Sequence, residues 1–260
     1  MDLLLEATAR AEGRHFWFRG FRRFVAPLLD QAATGRRDLR LLDCGCGTGV
    51  NLAMLEPYGR AVGIDITWRG LRLAQQRGHA RLARADAACL PFPVRAFDVV
   101  ASFDVIYSLS DEAERAALAE MARVLKPGGW LVLNVAAMEI LRGNHSVLSG
   151  EVRRYSRRSL RAALEGAGFE VVRITYTNAS LFPFVLAART VQRILGLAPP
   201  EEALAEITVP AAPVNAVLDC LLRAEAALLT HVDLPFGSSL LCVARRPQPN
   251  DRARTVRAEP

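Results

Sequence analysis

The sequence predicts an α/β protein with a doubly wound, seven-stranded, mostly parallel sheet whose last strand is antiparallel. Between residues 39 and 135, short apolar segments alternate with stretches whose apolar residues recur every three or four positions. The first apolar segment leads into a run of glycines, and the second ends in an acid. Alternation of this kind indicates parallel strands with helices on both faces of the sheet.

Each expected strand is a short segment rich in apolar and β-branched side chains. The expected strands are residues 39–43, 61–65, 80–85, 97–102, 130–135, 169–176 and 238–244. The periodic stretch 112–125 predicts a helix that ends at the turn 126–129, which reads Lys-Pro-Gly-Gly. Ser156 is expected to cap a helix over 157–167.

The periodic pattern also divides the chain. Residues 1–38 are expected to form an amino-terminal helical cap, and residues 39–246 the main domain. Within that domain, residues 178–232 read as a mostly helical, apolar insertion before the last strand. The tail 247–260 is rich in arginine and proline, and we expect it to be disordered.

Composition limits the possible functions. The chain has 260 residues, a net charge of +6 and a pI near 9.5, but Lys126 is its only lysine, so part of the arginine excess replaces lysine. A net positive charge of this origin is only weak evidence for binding to nucleic acid, and we expect no nucleic-acid partner. The 5 cysteines are scattered and odd in number, which argues against disulfides and zinc, and we expect no metal.

The chain lacks the features of a secreted or membrane protein. Its first residues do not have the basic start and apolar run of a signal peptide. The uncharged run 174–188 is too short to span a bilayer and contains Asn178 and Pro183. We therefore expect a cytoplasmic protein without a membrane span, either monomeric or homodimeric.

The glycine run 45–49 predicts a ligand site. A strand that ends in spaced glycines and opens a helix presents free backbone N–H groups to a ligand. Val50 stands where the dinucleotide fingerprint would have its third glycine, which disfavours a nicotinamide or flavin cofactor. Asp65 ends the second strand, where a carboxylate accepts ribose hydroxyls. Asp86 follows the third strand.

These motifs, in this order, resemble those of small-molecule class I S-adenosylmethionine-dependent methyltransferases. The matching segments are 43–49, Asp65, Asp86, 90–92, 97–100 and 123–129, and the resemblance extends over about residues 14–246. It implies a Rossmann-like fold, S-adenosyl-L-methionine as cofactor and S-adenosyl-L-homocysteine as product.

The resemblance also implies which residues hold the cofactor. The glycines would pass under its methionine part, Asp65 would bind the ribose, Asp86 with Ala87 would read the adenine, and Ser102 with Phe103 would line the methionine side. The implied cofactor residues are Asp43, Gly45, Gly47, Gly49, Asp65, Ile66, Asp86, Ala87, Ser102, Phe103, Trp17 and Arg19.

The segment 15–18, His-Phe-Trp-Phe, resembles one found in a branch of this family. Such a helix would close over the cofactor, with Arg19 or Arg22 pairing with its carboxylate. The alternative is that the aromatic side chains simply pack on the sheet. His15 is a candidate for contact with the substrate, because a neutral imidazole can act as a base or as a hydrogen-bond partner near pH 7.

The acceptor side departs from that branch. Tyr107 and Ser108 stand where it has an acid and a histidine, and Ser146 and Glu151 also differ. His145 is the candidate general base and Tyr107 a candidate phenol donor, although a surface histidine and a structural tyrosine are open alternatives. The expected substrate residues are His15, Tyr107, His145, Arg154 and Tyr155.

The apolar insertion 178–232 favours a hydrophobic small-molecule acceptor, methylated on oxygen, nitrogen or carbon, as in secondary metabolism. A dimer contact or plain core packing would explain the same apolar character. Two other functions stay open: a non-methylating reaction such as a cyclisation, and a non-catalytic partner protein.

Overall fold

A seven-stranded sheet forms the centre of the computed structural model within residues 2–196 and 207–248, the part of the chain that it describes. The strands are β1 (Leu39–Cys44), β2 (Gly59–Asp65), β3 (Leu82–Arg84), β4 (Phe97–Phe103), β5 (Leu125–Ala136), β6 (Glu170–Thr177) and β7 (Ser239–Arg245). Their order in the sheet is β3-β2-β1-β4-β5-β7-β6, and β7 runs antiparallel between β5 and β6. The predicted fold class is confirmed.

Helices cover both faces of this sheet. They are α1 (Asp2–Ala11), α2 (Phe16–Ala33), α3 (Leu52–Leu55), α4 (Trp68–Gln76), α5 (Asp111–Val124), α6 (Asn144–Leu148), α7 (Arg157–Gly166), α8 (Phe182–Leu195) and α9 (Ala212–Leu229). Ser156 caps α7 as predicted, since its hydroxyl accepts a hydrogen bond from the Ser159 N–H at 3.1 Å. In this part of the chain, no helix is both long and apolar enough to cross a bilayer.

Residues 126–129 differ from the prediction of a turn, because they lie inside β5. The Gly128 N–H donates to the carbonyl of Arg246 at 2.7 Å, and the Arg246 N–H donates to the carbonyl of Gly129 at 2.8 Å. The segment therefore pairs with the chain that follows β7. Local sequence gives no sign of this partner, which explains why the strand begins earlier than expected.

The amino-terminal cap and the insertion pack on each other through α2 and α9. A Cβ atom at Gly20 would lie 2.4 Å from Leu222 Cδ1, so the absence of a side chain lets the two helices approach closely. The buried carboxylate of Asp219 pairs with Arg23 at 2.8 Å, Arg223 at 2.9 Å and Arg19 at 3.5 Å. The boundaries 1–38, 39–246 and 178–232 stay predictions, as does the tail, of which residues 249–260 lie outside the described chain.

We expect Asp219→Ala to destabilise the fold by about 1–3 kcal/mol, because it leaves three guanidinium groups without their acceptor. Asp233→Ala is the matched control: this carboxylate is 46% exposed and pairs with Arg173 at 2.7 Å. Its removal should cost less than about 1 kcal/mol. Urea unfolding measures both, and equal losses of unfolding free energy would contradict the assigned role of Asp219.

Candidate functional site

The loop that joins β1 to α3 has the backbone conformation that the glycine pattern predicts. Gly45, Gly47 and Gly49 have φ angles of 89°, 48° and 79°, which are in the left-handed region. A Cβ atom at Gly45 would lie 2.2 Å from Val105 Cγ2, and one at Gly49 would lie 2.7 Å from Ala74 Cβ. Close packing therefore requires glycine at both positions.

Asp65, at the end of β2, binds directly to this loop. Its Oδ2 atom accepts a hydrogen bond from the Gly47 N–H at 2.8 Å. Its Oδ1 atom accepts from the N–H of Thr67 at 2.8 Å and from the Thr67 hydroxyl at 2.5 Å. These bonds fix the carboxylate at the mouth of the loop, and Oδ2, which accepts only one of them, has a further lone pair for a ligand.

A cavity of about 360 Å³ lies at the carboxyl ends of the parallel strands and joins this loop to the region beyond β4. Most of the expected site residues line it: Trp17, Gly45, Gly47, Asp65, Ile66, Asp86, Ala87, Phe103, Tyr107 and His145. Asp86 is oriented by the Ala88 N–H, which donates to its Oδ1 atom at 2.8 Å.

Asp43 and Ser102 lie in the core next to the loop and do not line the cavity. The Asp43 carboxyl is fully buried, and no hydrogen bond reaches either oxygen. Burial, together with the negative charge of Asp65, raises the pKa of Asp43 to about 7. The Ser102 hydroxyl donates to the carbonyl of Cys44 at 2.9 Å. Asp43 thus belongs to the end of β1 that leads into the glycine loop, and Ser102 is hydrogen-bonded to that strand end.

The structure places two of the amino-terminal candidates away from the cavity. Arg19 faces Asp219, whereas Arg22 lines the cavity and donates to the carbonyl of Glu12 at 3.1 Å. His15 is the N-cap of α2, because its Nδ1 atom accepts from the Trp17 N–H at 3.1 Å. Burial lowers the pKa of His15. Arg19 thus takes part in a tertiary ion pair and His15 in a helix cap, and their contact with a ligand stays a prediction.

Arg154 and Tyr155 are likewise engaged elsewhere. Arg154 is buried in an ion pair with Glu151, with Nε to Oε2 at 2.8 Å. The Tyr155 hydroxyl donates to Glu114 at 2.6 Å. Burial raises the pKa of Tyr155, which keeps the phenol protonated. Both side chains thus have protein partners and do not belong to the cavity lining, and their contact with the substrate stays a prediction.

Tyr107 and His145 do reach the cavity. Burial raises the pKa of Tyr107 well above its usual value, and the nearby charges of Asp104 and Glu151 add to the effect, so the phenol stays a hydrogen-bond donor. His145 lies on α6, and its carbonyl accepts from the backbone N–H of Ser149 at 2.9 Å.

Sequence reasoning missed the contribution of α1, which closes one side of the cavity. Its residues Leu4, Leu5, Thr8 and Glu12 belong to the lining. Glu12 is buried, accepts a hydrogen bond from the Thr48 hydroxyl at 2.8 Å and forms an ion pair with Arg77. Burial raises the pKa of Glu12. An acid three residues before the segment 15–18 was the signal that could have indicated this contact.

Sequence reasoning also missed Asp104 and Asn134, neighbours at the ends of β4 and β5 that both line the cavity. Asn134 Nδ2 donates to Asp104 Oδ1 at 2.8 Å. The signal was available, because Asp104 comes two residues after the predicted strand 97–102, much as Asp65 ends one predicted strand and Asp86 follows another. Among the described residues, no group of three or more His, Cys, Asp and Glu side chains could hold a metal ion.

With this geometry established, comparison with known proteins identifies the family. Residues 42–133 match the family model described as a methyltransferase domain. This match confirms, over these residues, the class I S-adenosylmethionine-dependent methyltransferase domain that the sequence predicts. Its cofactor is S-adenosyl-L-methionine, and the cavity fits this group, since a bare glycine backbone and the carboxylates of Asp65 and Asp86 share one wall.

Relatives of this methyltransferase differ in what they act on. An uncharacterised protein of Methanocaldococcus jannaschii is 32% identical, over 55% of this chain and 66% of that protein. A tRNA (carboxymethyluridine(34)-5-O)-methyltransferase of Arabidopsis thaliana is 35% identical over 44% of this chain and 28% of its own. A demethylmenaquinone methyltransferase of Deinococcus radiodurans is 37% identical over 44% of this chain and 48% of its own length. The chain thus spans less than two thirds of these relatives' lengths.

Solved structures share the fold of the methyltransferase. A phosphoethanolamine N-methyltransferase of Haemonchus contortus, in complex with S-adenosyl-L-methionine, has a TM-score of 0.60 and 18% identity, covering 95% of this chain and 58% of that one. A [4+2]-cyclase has a TM-score of 0.55 and 22% identity, covering 87% of this chain and 81% of the cyclase chain. At these identities the likeness shows the fold alone.

We expect Asp65→Ala to weaken the binding of S-adenosyl-L-methionine by about 1–3 kcal/mol, because a ribose hydroxyl would lose its acceptor. Calorimetric titration measures the affinity. Asp38→Ala, which removes a carboxylate from the opposite end of the neighbouring strand β1, is the control and should leave the affinity unchanged. An unaltered affinity in folded Asp65→Ala would refute the assignment.

Proposed function

We propose that the protein transfers a methyl group from S-adenosyl-L-methionine to a small, mainly apolar molecule. The observation that carries this proposal is the cavity of about 360 Å³, whose lining joins the glycine loop to residues of α2 and of the segment after β4. The apolar part of this lining includes Phe18, Phe21, Val105, Leu109 and Ile207. An apolar wall with a few polar groups is typical of a site for a small organic molecule.

The proposed cofactor contacts follow the sheet order. Asp65 accepts the ribose hydroxyls, Asp86 and Ala87 contact the adenine, and the glycine loop passes beside the methionine part. Ile66, Phe103 and Trp17 contribute apolar walls. Arg22 pairs with the methionine carboxylate in this proposal, because it lines the cavity and Arg19 does not.

The residues of the chain have three tasks in this reaction. The bound cofactor supplies an already activated methyl group. The cavity walls must therefore hold the acceptor about 3 Å from it and in line, which is the larger part of the catalysis. Helix α1 and the aromatic residues of α2 exclude water. Tyr107 donates a hydrogen bond to the acceptor, and His145 is a second polar contact for it.

A small acceptor is favoured over a macromolecule by the closed side of the cavity, where Leu5 and Glu12 of α1 lie beside the glycine loop. Among the relatives, the demethylmenaquinone methyltransferase supports an aromatic or quinol-type acceptor. The plant tRNA methyltransferase makes tRNA the second candidate acceptor. A role in secondary metabolism, and a cyclisation in place of methyl transfer, remain alternatives to be separated by product analysis.

Methyl-labelled S-adenosyl-L-methionine tests the proposal. The protein is incubated separately with a demethylated naphthoquinol, 2-naphthol, an aromatic amine and bulk tRNA. We expect label in an extractable organic product, with one S-adenosyl-L-homocysteine formed per methyl group, and a reduced rate in Asp65→Ala at low cofactor concentration. Cofactor binding without any S-adenosyl-L-homocysteine formation would contradict methyl transfer, and label confined to tRNA would contradict a small acceptor.

A further inference from the structure

Asp104 lines the cavity directly after Phe103, which is a proposed contact of the cofactor's methionine part. The strand order puts β2 and β3, which lead to Asp65 and Asp86, on one side of β1. It puts β4 and β5, with Asp104 and Asn134, on the other side. The two halves meet in one cavity, so a group that reacts with the acceptor is expected at the ends of β4 and β5.

The carboxyl of Asp104 is held in one orientation. Its residue has a φ angle of 60°, a left-handed conformation that non-glycine residues rarely adopt and that is often found at active sites. The Asp104 N–H donates to the carbonyl of Asn134 at 2.9 Å, and Asn134 Nδ2 donates to Asp104 Oδ1 at 2.8 Å. Within the described residues, Oδ2 accepts no hydrogen bond, which leaves it available to an acceptor molecule.

The surroundings favour Asp104 as a base. Asp104 is exposed to solvent. Protein atoms packed around the carboxyl nevertheless raise the pKa of Asp104 above that of an ordinary aspartate, and the negative charge of Glu151 raises it further. Arg154 and the Asn134 amide act in the opposite direction. A carboxylate whose pKa moves toward neutrality is a stronger base, whereas the Tyr107 phenol stays protonated.

We propose that Oδ2 of Asp104 accepts the proton that the acceptor loses during methyl transfer, with Asn134 as its positioning residue. This inference rests on the proposed function and narrows its acceptor to a molecule with an ionisable O–H or N–H group. The bond from sulfur to methyl breaks with its electron pair left on sulfur, and a lone pair of the acceptor atom bonds to the methyl carbon. The acceptor's proton passes to Asp104 and then to water.

Fluorescence of 2-naphthol tests proton acceptance without turnover, because excited 2-naphthol transfers its proton to a nearby base and then emits as naphtholate. The probe is added to the protein saturated with S-adenosyl-L-homocysteine. We expect naphtholate emission from the bound probe in the wild type and its loss in Asp104→Asn, which has the same shape but cannot accept a proton. Asp38→Asn changes a carboxylate that is 76% exposed and lies outside the cavity; it is the control and should retain the emission.

Steady-state kinetics of 2-naphthol methylation by S-adenosyl-L-methionine provide a second test of the same proposal. In Asp104→Asn, kcat should fall by about 10²–10⁴-fold and the decline of kcat/KM at low pH should disappear, with the cofactor affinity unchanged. Emission that persists in Asp104→Asn, disappears in Asp38→Asn, or is absent because the probe does not bind would overturn the inference. Asp104-dependent emission without methylated product would support Asp104 as the proton acceptor and refute the proposed function.

Discussion

The hydrogen bond from the Gly47 N–H to the Asp65 carboxylate, at 2.8 Å, is the contact on which the site depends. It joins the loop after β1 to the end of β2, and it requires the left-handed backbone that glycine permits. Val105 and Ala74 pack so closely on Gly45 and Gly49 that a side chain at either position would displace the loop. The proposed position of the cofactor therefore depends on the backbone geometry of this loop as well as on side chains.

The remaining structure closes a cavity over this loop from two directions. Helix α1 contributes Glu12, whose contact with the Thr48 hydroxyl fixes the helix above the glycine loop. Helix α2 contributes its aromatic residues and is held by α9 through Asp219. Residues distant in sequence thereby enclose one volume. This volume is small enough to align two reacting molecules, which is the main requirement of methyl transfer.

Local chemistry was enough to predict part of this arrangement. The strand–helix alternation gave the sheet, the spaced glycines gave the loop conformation, and Ser156 was a recognisable helix cap, because each depends on neighbours in the chain. The partners of Arg154 and Tyr155, which are Glu151 and Glu114, could not be predicted, because tertiary packing selects them. Asp104 was missed for a related reason: its importance comes from Asn134, which lies on another strand.

A crystal structure of the complex with S-adenosyl-L-homocysteine is the most direct test of the central claim, that the glycine loop and Asp65 form the cofactor site. The ribose hydroxyls are predicted to lie within hydrogen-bond distance of the Asp65 carboxylate, with the adenine beside Asp86 and the loop glycines still at positive φ. A ligand bound elsewhere, or a loop rearranged so that Gly47 no longer contacts Asp65, would contradict the account.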